Sequence, residues 1–283
     1  GRYNPHNGPS FNQTYSESIK KFNIVDNGST IQVANYEDTV DAVNLHRRDY
    51  NMCPQIFPNG DTGLTVFSGV FQHMVDLPFF NTVDITGSGY NVRQNFDQLL
   101  NQYHTANMSL YDAQNNNMHT VFFGGIGMYF QDPLGVLAVD SAVPFVKTIS
   151  KISRFANDSM AEYALPQSMP AYLGSGAEFI PSDSIQFYTD GIIDLNSSNG
   201  KVLAGYVVDV LHPCNLNIPV WVEDGAIQPI DTSKLSHWND MIPSLQTIGE
   251  ANGKHYFASF DWGQTSVCYR TDLVDIPDGE ESW

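Results

Sequence analysis

The run Thr65-Val66-Phe67-Ser68-Gly69-Val70 returns 55 residues later as Thr120-Val121-Phe122-Phe123-Gly124-Gly125. An echo follows each copy: Leu77-Pro78-Phe79-Phe80-Asn81-Thr82-Val83, then Val143-Pro144-Phe145-Val146-Lys147-Thr148-Ile149. A polar, aromatic lead-in precedes each, Arg48-Asp49-Tyr50-Asn51-Met52 and Gln102-Tyr103-His104-Thr105-Ala106. A weaker third copy begins at Val202-Leu203-Ala204-Gly205-Tyr206. Repetition at this period implies units that cannot bury their apolar faces alone and must stack on one another. The apolar runs are short and bounded by Gly, Pro, Asn and Asp, as in Pro58-Asn59-Gly60-Asp61 and Asp132-Pro133-Leu134-Gly135. Such runs predict strands. One exception is 92–103, where Phe96, Leu99 and Leu100 fall on one helical face and predict a helix.

A unit of about 50 residues whose strands close on glycine matches a four-stranded propeller blade. Glycine lets the backbone turn sharply and approach its neighbours closely. Tyr103-His104-Thr105-Ala106, followed by Met118-His119-Thr120-Val121-Phe122-Phe123-Gly124-Gly125, resembles the kelch blade. Residues 45–54, Leu45 through Cys53-Pro54, look like the same lead-in of another blade. The resemblance covers 1–206 and implies a partial, antiparallel, kelch-like β-propeller of the secreted bacterial kind, binding a protein or glycan. Kelch propellers include copper-radical oxidases, which draws attention to Cys53, Tyr103, His104 and His119. Tyr103-His104 reads more simply as a blade lead-in, and Cys53 as a small buried apolar residue. No Ser-His-Asp grouping or phosphate-cradling loop is present. The expectation is therefore no enzyme, no catalytic residue, no metal and no cofactor.

The character changes near Val207, where strand and helix patterns begin to alternate as in an α/β fold. The order is Asp209-Val210-Leu211-His212-Pro213-Cys214, a helical pattern over 217–224, and Gly225 as its stop. Then come Gly225-Ala226-Ile227-Gln228-Pro229-Ile230-Asp231-Thr232-Ser233-Lys234-Leu235, Gly253-Lys254-His255-Tyr256, Trp262-Gly263-Gln264-Thr265 and Tyr269-Arg270-Thr271-Asp272. This order resembles the periplasmic solute-binding proteins of polyamine (spermidine/putrescine) ABC transporters. The resemblance implies that 207–283 is a partial first lobe of a periplasmic-binding-protein fold, so the whole chain is expected to be mixed in fold class. It also implies polyamine or another small cationic solute as ligand and a membrane permease of an ABC transporter as partner. The ligand-binding positions it implies are Cys214, Asn215, Asp261, Trp262, Gln264 and Thr265. Leu216 stands where the family offers an aromatic wall, and Ser259 where it offers proline.

Charge narrows the partners further. With 13 Lys plus Arg against 31 Asp plus Glu, the formal charge is −18. A chain that tracks phosphates needs a basic face, so nucleic acid is excluded and anionic membrane surfaces are disfavoured. No apolar run approaches the ~20 residues of a spanning helix, so no membrane insertion is expected. Three cysteines without a CxxC pair support neither a disulfide framework nor a cysteine-rich zinc site. The low lysine content and the acidity lean toward a periplasmic or secreted protein. The chain starts at Gly1 without a leader and stops at Ser282-Trp283, before a second lobe. Both halves look incomplete, so the expectation is a fused or truncated frame.

Overall fold

Strand outweighs helix, 46% to 7%, as the short β-branched and aromatic runs predict. The computed structural model describes residues 2–3, 11–12, and 14–209 apart from 175 and 199. Beyond these it describes 218–223, 225, 227, 229–234, 238–240, 243–247 and 249–256. The chain divides into two units, Gly1–Leu211 and His212–Trp283.

In the first unit, β1 (Arg2–Tyr3) pairs with β2 (Phe11–Asn12), and β3 (Ser18–Asp26) pairs with β4 (Ile31–Val40) as a long ribbon. The next four strands are β5 (Asn51–Ile56), β6 (Thr62–Phe67), β7 (Val83–Thr86) and β8 (Gly89–Val92). They form one antiparallel sheet in chain order. After them come β9 (Ala106–Asp112), β10 (Asn117–Phe123), a hairpin of β11 (Tyr129–Gln131) and β12 (Leu137–Val139), then β13 (Thr148–Arg154) and β14 (Met160–Ser168). Here β9, β10, β13 and β14 repeat the antiparallel order of the first sheet. β15 (Ala177–Pro181) follows, then β16 (Phe187–Thr189) and β17 (Ile192–Asp194), which extend the second sheet through a parallel β17–β9 pairing. β18 (Gly205–Asp209) pairs with β15. It runs across residue 206, where the sequence pattern places the change of character, and belongs to the first unit.

The two sheets are the two copies of the sequence repeat. Arg48 bridges Val70 in one and Tyr103 bridges Ile126 in the other. Gly69 and Gly125 both have positive φ, and their carbonyls accept from the Phe79 and Val146 amides at 2.8 Å. A Cβ at Gly69 would stand 3.0 Å from the Arg48 carbonyl oxygen, and one at Gly125 would stand 2.8 Å from that of Tyr103. Only glycine fits either place without a shift.

These anchors relate the first strands by 55 residues but the second strands by 56. Thr65 is therefore equivalent to Val121, one residue beyond the sequence match. A one-residue slip turns every side chain to the other face. Phe67 shares a face with Thr65 and Cys53, whereas Phe122 lies on the opposite face of its own sheet, so the two sheets can meet there. The Phe67 and Phe122 rings cross at 69° with centroids 5.2 Å apart, packed with Cys53, Phe96 and Ile152. Both strands are buried over most of their apolar runs, which is why those runs do not alternate with polar residues.

The predicted helix at 92–103 is not formed; the segment is a loop between the sheets. Phe96 and Leu100 are buried as expected, but so are Gln98, Asn101 and Gln102, which a helix would have turned to solvent. Gln102 Nε2 donates to the carbonyls of Gly124 (2.6 Å) and Thr148 (2.8 Å), and its Oε1 accepts from Ser150. The Ser68 hydroxyl donates to the Asn101 carbonyl at 2.7 Å, and Asn51 Nδ2 to that of Gln102 at 3.1 Å. Loop and strand-end carbonyls buried between two sheets require such donors. Their satisfaction outweighs the local amphipathic pattern.

In the second unit, α1 (Ile218–Glu223) is followed by Gly225 at φ +66, in line with the expected helix and its glycine stop. The Gly225 amide donates to the Val222 carbonyl at 3.2 Å. A second short helix, α2 (Pro243–Gln246), precedes the two-residue strands β19 (Glu250–Ala251) and β20 (Lys254–His255). Among the described residues, no helix is long and apolar enough to cross a membrane.

Candidate functional site

A two-stranded ribbon is marginal by itself, so β3–β4 depends on what it leans against. Lys21 Nζ donates to the Gly87 carbonyl at 2.8 Å, and the Tyr90 hydroxyl to Asp41 at 3.2 Å, tying the ribbon end to the first sheet. Between these ties lies a cavity of about 870 Å³, lined by Phe22, Tyr50, Met52, Leu64, Ile85 and Tyr90. Met52 and Leu64 face it because alternation sends Cys53 and Thr65 the other way, into the core. Lys20, Lys21 and Glu37 supply charge at its edge. Phe22 and Met52 keep 46% and 49% of their surface exposed, so the cleft presents apolar and aromatic faces to solvent. Its size and mixed lining are those of a ligand site.

Three side chains from separate segments meet beside this cleft. Glu17 immediately precedes β3 at φ +52, and its carbonyl accepts from the Asp41 amide at 2.8 Å. Asp41 Oδ1 in turn accepts from the amides of Val43 and Asn44, shaping the turn that carries His46. His46 Nδ1 lies 2.5 Å from Glu17 Oε1. The His46 ring stacks on Tyr15 at 4.1 Å and meets His73 edge-on at 5.4 Å. Ser16, Ser18, Leu45 and Arg47 line the cleft, so the cluster borders it.

A second, smaller cavity of about 360 Å³ opens where the two sheets meet. It holds an ion-pair network. Arg154 reaches both Asp84 oxygens, at 2.6 and 3.0 Å, and Asp158 at 3.0 Å; Arg93 reaches Asp158 at 2.5 Å. Burial alone would raise the Asp158 carboxyl, but the Arg93 and Arg154 guanidiniums outweigh it and hold it below the ordinary range. With two arginines balanced by two aspartates, the arrangement is a staple between sheets rather than an anion site.

Cys214, Asn215, Asp261, Trp262, Gln264 and Thr265, the positions implied for polyamine binding, lie outside the described residues. Of the residues weighed for copper-radical chemistry, Cys53 is fully buried, donates to Asn107 at 3.2 Å, and has its thiol pushed up by burial. Burial, reinforced by Asp49 and opposed by Arg48, pushes Tyr103 up to about 12. His104 lies 3.8 Å from Asp49, and His119 contacts the Ser153 hydroxyl at 2.8 Å. None of these four joins a three-ligand group among the described residues, whereas Glu17, His46 and His73 do. Sequence reasoning passed over that trio because no fixed spacing links three positions so far apart. Comparison with known proteins finds no matching family model and no matching curated sequence.

Proposed function

We propose that the first unit is part of a kelch-like β-propeller that binds a glycan without catalysis, using the cleft between the β3–β4 ribbon and the first sheet. The observation that carries this reading is the stacking of the four-stranded sheet β5–β8 on its counterpart β9, β10, β13 and β14 within the six-stranded sheet, through opposite faces, as successive propeller blades stack. Sugar rings stack on aromatic faces while their hydroxyls need polar partners, and the cleft offers Tyr50, Tyr90 and Phe22 beside Lys20, Lys21 and Glu37. A charge of −18 repels anionic sugars at distance, so a neutral glycan is favoured. The test is binding of the purified chain to immobilised neutral oligosaccharides. Retention should weaken at least about tenfold in the double variant Tyr50→Ala/Tyr90→Ala, each ring contributing roughly 1 kcal/mol. No retention, or retention untouched by the double variant, refutes the reading.

The second unit carries a second reading, a partial first lobe of a polyamine-binding protein. It is favoured by the motif order in 207–283 and by the helix that stops at Gly225. Two lobes normally close over such a ligand and exclude water, which strengthens ammonium–carboxylate contacts. An open partial lobe leaves those contacts wet, at ~0–1 kcal/mol each. Spermidine titrated calorimetrically should bind no tighter than millimolar. Micromolar binding abolished by Trp262→Ala would show a complete site.

A further inference from the structure

We propose that Glu17, His46 and His73 form a binding site for Zn²⁺ or a similar first-row divalent ion. This goes beyond the glycan reading and does not depend on it. It also departs from the sequence expectation of no metal.

Two imidazoles and one carboxylate make a donor set suited to borderline ions such as Zn²⁺, unlike the all-oxygen shells of Ca²⁺ and Mg²⁺. One potential ligand atom from each residue lies within 4.8 Å of the others. Ligand atoms around a tetrahedral Zn²⁺ stand roughly 3.3 Å apart, given metal–ligand bonds near 2.0–2.2 Å. Closing the remaining gap falls to His73, which is exposed. Its ring contacts His46 edge-on, and its nitrogens take no hydrogen bond from any described residue. The other two ligands are already held. Glu17 and His46 share a close contact of 2.5 Å, both half-buried, and the His46 ring is clamped from one side by Tyr15. An ion would take the place of the proton between this carboxylate and imidazole, opening their separation by about 1 Å.

The bland alternative is an ordinary ion pair capped by a ring stack. It accounts for Glu17, His46 and Tyr15, but gives no reason for a second imidazole to converge on the same point. Three protein ligands also leave a coordination position for water or for an oxygen of a bound molecule. Because Ser16, Ser18 and Leu45 border both features, an ion here would sit at the margin of the cleft.

The test is calorimetric titration of Zn²⁺ into the metal-free chain at neutral pH, in a buffer that does not chelate. The wild-type chain should show a micromolar or tighter site. His73→Ala and Glu17→Gln should each weaken that site at least about tenfold, the usual scale for disturbing a metal's ligand sphere. His104→Ala, which removes a histidine outside the trio, should leave it unchanged. His73 is exposed, so its variant should keep the wild-type circular dichroism even if Glu17→Gln disturbs the ribbon. Co²⁺ gives a second readout: a visible d–d spectrum in the wild type that His73→Ala abolishes. A His73→Ala titration indistinguishable from wild type overturns the proposal, whether Zn²⁺ binds elsewhere or not at all.

Discussion

Replacing Arg154 by methionine should lower the stability of the first unit by roughly 3–5 kcal/mol, the cost of leaving a buried carboxylate without its partner. Arg154 ends β13 in the second sheet and is 2% exposed, while Asp84 lies on β7 of the first and is 5% exposed. Their bidentate contact, with Thr65 donating to Asp84 at 2.6 Å, crosses from sheet to sheet. Phe57 covers the guanidinium at 4.9 Å. Methionine fills similar volume but strands Asp84, whose remaining cation, Arg93, stands at 3.8 Å and is already engaged by Asp158. Removing both charges should therefore restore much of the loss. In urea denaturation, Arg154→Met/Asp84→Val should recover at least half of it. A single variant within about 1 kcal/mol of wild type would mean the sheets do not depend on this staple.

Stability of the same unit should fall as pH rises from about 4.5 to 7, by up to ~3 kcal/mol, through Glu162 alone. Burial lifts the Glu162 carboxyl to about 7, and the Leu100 and Leu99 amides only partly oppose it. Glu162 lies on β14, where one oxygen accepts from the Leu100 amide at 2.9 Å and the other is buried without a partner. The sign follows from proton counts. Between the two pKa values the unfolded chain has released the proton and the folded chain has kept it, so raising pH favours unfolding. Below about pH 4.5 both states are protonated and the penalty vanishes. Glu162→Gln keeps an acceptor for Leu100 and removes the charge, so it should stabilise the unit near pH 8 and leave it little changed near pH 4. Urea midpoints at the two pH values check this. An equal wild-type-to-variant difference at both would sink the assignment.

Much of the β architecture was legible in local chemistry. Short runs of Val, Phe and Thr, ending in Gly69 and Gly124, identified β6 and β10 as equivalent strands, one residue short of the register the structure adopts. Gly225 marked the end of α1. The segment 92–103 was misread because helical periodicity registers which residues are apolar and says nothing of where buried carbonyls need donors. Gln98, Asn101 and Gln102 look like a solvated face until two sheets close around them. The cleft and its histidine–carboxylate cluster were not legible, since Glu17, His46 and His73 are joined only by the path of the chain.

The sequence by itself determined that this chain would form strands in repeated units, where they would turn, and that it would carry a net charge of −18. Those outcomes rest on steric and hydrophobic preferences contained within a few residues. Tertiary structure alone decided that the repeats would pair one residue out of step with their own likeness. That slip turns Phe67 and Phe122 toward each other, and its energy comes from contact between sheets rather than from either strand. The same dependence on a partner segment brought Arg154 to Asp84 and His73 to His46.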